Sequence, residues 1–157
     1  MQKKFLLILL GICMLALGAC AKPALETTTQ DAGLLFTNAY TAMEPQLPEM
    51  MEIPEDMILD YYGIEPADYT ASLVRISVDN MLADEIVLME GVDDAAADRI
   101  EAMLNERLQA KADEAESYSP EQFAIIEKCA VVRDGQSVAL LVSADHQSMA
   151  DAFMARS

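Results

Sequence analysis

The first twenty residues constrain this chain more than any other stretch. Lys3 and Lys4 precede Phe5 to Leu17, an almost unbroken apolar run. A charged start, a short apolar segment and small residues before a cleavage point make an export signal, which the mature protein loses. The run has 13 residues, short of the ~20 that a helix needs to cross a bilayer. The segment therefore reads as a leader, and what remains must fold outside the cytoplasm around its own core.

The leader ends in Leu17-Gly18-Ala19-Cys20. This resembles the bacterial lipobox, in which a Cys thiol is acylated and the chain is cut just before it. Gly18 and Ala19 are small enough to enter a peptidase cleft, and a thiol at Cys20 can take a diacylglycerol. Cys20 is thus the expected lipidation site. At least two acyl chains there give stable anchoring, where one gives only marginal binding. The expected organisation is a leader over 1–19, a polar tether over 20–30 and one domain over 31–157, held at the outer face of the cytoplasmic membrane. Cys13 falls within the leader, so Cys129 is the one thiol left, and no disulfide within the domain is expected.

The whole sequence carries 10 basic and 27 acidic residues. Cutting before Cys20 removes two Lys and no acid, so 8 bases and 27 acids leave a net charge of −19. Nucleic acid is excluded as a partner, because phosphate binding needs clustered Lys and Arg. The same excess repels the domain from anionic headgroups. The membrane is thus met through the lipid at Cys20.

Leu35, Phe36, Ala39, Tyr40 and Met43 repeat at helical spacing, which predicts a helix over Asp31 to Met43. Pro45, Pro48 and Pro54 break the following acidic stretch, Glu44 to Asp60, which reads as a solvated face. Met50, Met51 and Met57 within it read as packing. Pro54-Glu55-Asp56 reads as a short helix start, and Gly63 as its end. Val74, Ile76 and Val78 alternate with polar residues as a half-buried strand, and Glu85 to Glu90 follows as a second. Asp93 or Asp94 caps a long helix with an apolar stripe of Ala97, Ile100, Met103, Leu104 and Leu108. Ser119-Pro120-Glu121-Gln122 is a capping-box pattern. Asp134-Gly135 joins strands Cys129 to Arg133 and Gln136 to Ser143. Asp145 then starts a last helix with Met149, Ala150 and Phe153 inward. These elements predict an α+β fold, a four-stranded antiparallel sheet built from two hairpins with helices on one face. The other face is expected to lie under the N-terminal helix or open to a partner.

Sites of chemistry are few. His146 is the only His, so a metal site can draw on one imidazole at most. No Gly-x-Ser-x-Gly surrounds any Ser. Cys129 lies in an apolar strand, opposite Leu140 if Asp134-Gly135 is a two-residue turn, and reads as a buried inert thiol. The acids around the first hairpin (Asp79, Asp84, Glu85, Glu90, Asp93 and Asp94) are candidates for Ca²⁺ or acid/base work, though no EF-type spacing occurs. No metal and no cofactor is assigned.

Beyond the leader and tether, Tyr62-Gly63-Ile64, Met81-Leu82-Ala83-Asp84-Glu85-Ile86, Arg107, Tyr118-Ser119-Pro120 and Gly135 fall together. This pattern resembles a family of small lipoproteins from Gram-positive anaerobes, the domain of unknown function 4358, over roughly Asp31 to Phe153. The resemblance implies an exported, membrane-anchored module and marks Asp84, Glu85, Arg107 and Tyr118 as its recurring polar positions. These four are the candidate interaction residues. The expected role is a non-enzymatic binding or interaction module with a possible protein partner at the cell surface. The alternatives are a small-ligand or Ca-binding lipoprotein, or a carboxylate-dependent wall hydrolase, which needs two acids at defined separation.

Overall fold

A computed structural model describes residues 29–156 of the chain. The expected leader, the expected lipidation site Cys20 and the expected tether up to residue 28 lie outside these described residues.

Helix α1 (Thr29–Met43) begins two residues before the expected Asp31. A short strand β1 (Met50–Glu52) follows, then a 3₁₀ turn over Glu55–Met57 and helix α2 (Ile58–Tyr62). Gly63 ends α2 at φ +67°, in the left-handed region that glycine enters without a Cβ clash, and its N–H donates to Leu59 O at 2.8 Å. Strands β2 (Tyr69–Ser77) and β3 (Glu85–Gly91) form the first hairpin. The long helix α3 (Asp94–Tyr118) and the short α4 (Pro120–Ile126) lead to β4 (Val131–Asp134), β5 (Ser137–Val142) and α5 (His146–Met154).

The sheet has five strands in the order β1-β2-β3-β5-β4, all neighbours antiparallel. The expected four strands are thus joined by β1, at the edge beside β2, with Met51 opposite Ile76. Three residues, two of them Met and one Glu, carry no β-branched or alternating signal. Their pairing is supplied by the exposed edge of β2, not by local propensity.

Helices cover both faces: the expected layer lies on one, and the N-terminal helix, one of the two expected covers for the other face, lies there with α5. On one face Phe36, Ala39 and Met43 of α1 and Met149 and Phe153 of α5 pack on Ile86, Leu88, Ala139 and Leu141. On the other, Ala97, Ile100 and Leu104 of α3 join Tyr62, Ile64 and Ile126 against Val87, Met89, Val138, Leu140 and Val142. The reason is legible in β3 and β5. Each holds a continuous, fully buried apolar run, Ile86 to Met89 and Val138 to Val142, as strands between two covering layers must.

The second hairpin also shifts by a step. Asp134 pairs with Ser137, so the two turn residues are Gly135 and Gln136. Gly135 alone has positive φ (+62°), which makes a type II′ turn, with glycine at the first central position. Val131, not Cys129, then stands opposite Leu140. Cys129 precedes the strand, buried, with Sγ 3.4 Å from Ile125 O and 3.7 Å from Ser143 O.

Candidate functional site

The start of β3 and the middle of α3 meet in a buried ionic cluster. Glu85 has no exposed surface. Its Oε1 accepts from Arg107 Nε at 3.0 Å, and its Oε2 accepts from Arg107 Nη2 at 2.9 Å and Lys111 Nζ at 2.8 Å. Arg107 and Lys111 are four residues apart, so one helix face presents both. The Arg107 guanidinium also lies 5.7 Å from the centre of the Tyr62 ring. Burial by itself would push the Glu85 carboxyl up. The Arg107 hydrogen bonds and the Lys111 charge outweigh it, so the group lies below the ordinary carboxylate range. The phenol of Tyr62 is driven the other way, by burial first and then by the Glu85 charge.

Beside this cluster a cleft of about 180 Å³ opens between the β2–β3 loop, the last turns of α3 and helix α4. The loop is shaped by its own polar residues. Asp79 N–H donates to Ser77 Oγ at 3.1 Å, and Asp79 Oδ1 accepts from Met81 N at 2.9 Å. This is the usual work of Asp and Ser in turns. Gln122 Oε1 then accepts from Ala83 N at 2.9 Å, tying the loop to α4. Gln122 therefore does not reach back to the Ser119 N–H as a full capping box would. That N–H instead donates to Ala115 O at 2.8 Å, while Ser119 Oγ still accepts from Gln122 N. Lys111 lines the cleft wall, and Met81 (70 % exposed) and Tyr118 (83 % exposed) also line it.

The structure thus joins two of the four candidate residues, Glu85 and Arg107, in direct contact. Tyr118 stands on the cleft. Asp84 is half-buried next to Glu85, and its carbonyl accepts the Ser77 N–H at 2.9 Å, closing the hairpin. Lys111, Gln122 and Tyr62 were not among the candidates. Lys111 had a signal. It continues the helical stripe of Leu104 and Leu108 by one more step, and a cation on an apolar stripe needs a buried partner.

Two further acids around the first hairpin are tied to the fold by their side chains. Glu90 accepts from the Ser137 hydroxyl, and Asp93 Oδ1 caps α3 by accepting from Ala96 N at 2.7 Å. Among the described residues no group of three or more His, Cys, Asp or Glu is placed to hold a metal ion. His146 opens α5 with Nδ1 3.2 Å from Ser143 O. The Cys129 thiol is pushed up by burial, so little thiolate forms at neutral pH. No described helix is long and apolar enough to cross a membrane.

The family model described as Domain of unknown function (DUF4358) matches residues 43–143, a span that takes in the ionic cluster and the cleft. No curated protein and no solved structure matches the chain.

Proposed function

The chain belongs to the family Domain of unknown function (DUF4358), and from that premise we propose that it is a membrane-anchored, extracytoplasmic lipoprotein. Its domain recognises a ligand or partner at the cleft beside Glu85, Arg107 and Lys111, without converting it. Cys20 carries the lipid and the polar tether holds the domain off the anionic bilayer surface. The observation that supports recognition is the pairing of exposed and fixed groups. Tyr118 and Met81 leave most of their surface in water, while Lys111 beside them is held at 2.8 Å by a carboxylate with no solvent contact. Exposed aromatic and Met side chains around a rigid polar group are the make-up of a recognition surface.

Two measurements test this reading. Replacing Cys20 with Ala should move the protein from the membrane fraction to the soluble fraction. Retention in the membrane would overturn the anchor. A photo-reactive phenylalanine analogue at Tyr118, set against one at Leu34 on α1 (60 % exposed), should give mass-shifted adducts on whole cells from position 118 alone. Equal labelling at both positions would overturn the cleft as the recognition surface.

A further inference from the structure

We propose that the cleft selects a compact monocarboxylate with an apolar body, an inference that rests on reading the cleft as the recognition surface. Two polar side chains of the wall, Gln122 and Ser119, each accept a hydrogen bond inside the protein and keep their donors. Gln122 Oε1 is taken by the Ala83 N–H at 2.9 Å, which fixes which end of the amide is nitrogen. Its two N–H donors have no acceptor among the described residues. Ser119 Oγ accepts from Gln122 N at 3.4 Å, which leaves its hydroxyl proton to be given. The Lys111 ammonium has three donors and Glu85 takes one. Ammonium, amide and hydroxyl donors on one wall ask for an anionic acceptor.

The charge of the cluster agrees. Arg107 satisfies both Glu85 oxygens, so the charge of Lys111 is the surplus of a group of two cations and one anion. Glu114 also lines the cleft and carries the opposing charge, which favours a monoanion over a dianion. Met81, Leu82 and Tyr118 are exposed apolar surface on the same cleft and would cover the ligand's body. At about 180 Å³ the space falls below the roughly 300–1,000 Å³ of drug-sized sites, so the ligand is small.

The test uses the full chain in lipid nanodiscs and ligand-observed NMR with 3-phenylpropionate and its uncharged amide. The carboxylate is expected to bind about tenfold or more tightly than the amide, the factor carried by a hydrogen bond to a charged group. Gln122→Glu keeps the acceptor for Ala83 and replaces the donors by a negative charge. It should abolish that preference, through loss of carboxylate binding, while leaving the melting temperature unchanged. Tyr118→Ala, at a position with little folding role, should weaken both probes alike. Equal binding of acid and amide, insensitive to Gln122→Glu, would overturn the anion preference and leave the cleft as a binding surface. If neither probe binds while the position-118 crosslink still forms, the ligand class falls alone. If the crosslink is lost as well, both readings fall.

Discussion

Neutralising Glu85 without changing its shape, as Glu85→Gln, removes the only counter-ion that Arg107 and Lys111 share. The carboxylate is completely buried, whereas the side chains of Arg107 and Lys111 keep 31 % and 15 % of their surface in water. Breaking a buried pair by deleting one partner costs about 3–5 kcal/mol, because the remaining charge is stranded. Here the stranded cations retain some hydration, which places the cost near the lower figure, about 3 kcal/mol. For a domain of this size that lowers the melting temperature by roughly 10 °C, at roughly 3–5 °C per kcal/mol. Glu52→Gln is the matched control. Glu52 pairs with Arg75 at 2.9 Å but is 66 % exposed, and an exposed pair contributes about 0–1 kcal/mol.

The pH dependence gives a second reading of the same group. The folded Glu85 lies below the ordinary carboxylate value, so the unfolded chain binds its proton first as pH falls. Its contribution is therefore complete above the unfolded value of about 4.3 and is lost as pH drops through the lower folded value. The gap between wild type and Glu85→Gln should be constant from pH 6 to 8 and close below pH 4. Urea unfolding followed by circular dichroism measures both. A Glu85→Gln loss no larger than that of Glu52→Gln, or a gap that persists at low pH, would refute the assignment of the buried cluster.

Two further outcomes follow from the packing. A Cβ on Gly91 would stand 2.8 Å from the backbone nitrogen of Ala97. Gly91→Ala should therefore cost about 1–3 kcal/mol by overpacking, read by thermal unfolding, whereas Gly33→Ala, with open space around it, should cost nothing by contact. The Cys129 thiol is buried and its ionisation is suppressed by that burial. It should react with a disulfide reagent at pH 8 only at the rate of unfolding and at once in urea, and rapid native labelling would contradict its placement.

What could be read from the residues was mostly local. The Asp93 cap, the Gly63 stop, the α3 stripe and a glycine turn between β4 and β5 each depend on a few consecutive residues, and each is present. What escaped depends on distant partners. Strand β1 exists because β2 offers it an edge. The second helical layer was legible in part: α1 is one of the two covers expected for the other face, and the apolar continuity of β3 and β5 is what requires a cover there. The hairpin register moved because Gly135 takes the first central position of the turn rather than the second. At the site, Glu85 and Arg107 were both identified, but their contact spans 22 residues and needed the fold. Gln122 was assigned to its own helix start and instead ties down a loop 39 residues away.

The strong acidity of the sequence gives these contacts a common logic. Every arginine among the described residues is in an ion pair, and three of these arginines fasten α3 to what it packs against. Arg99 reaches Asp68 ahead of β2, Arg133 of β4 reaches Asp98 and Glu101, and Arg107 reaches Glu85 of β3. Exposed pairs of this kind stabilise little singly, but in a chain this acidic they set where repulsion is relieved. Glu85 differs in kind. It is the one acid among the described residues shared by two cations, and it is out of reach of water. A carboxylate with that environment holds its cations in place without being available to any ligand itself. The positive surplus it leaves on Lys111 lines a cleft in an otherwise anionic molecule. A small anion approaching this acidic domain meets a fixed cation at that cleft, with Glu114 also on its wall and the exposed Lys128 outside it. On the proposed reading, the same acidity weakens anion binding over most of the surface and leaves the cleft at Lys111 as the favoured place for it.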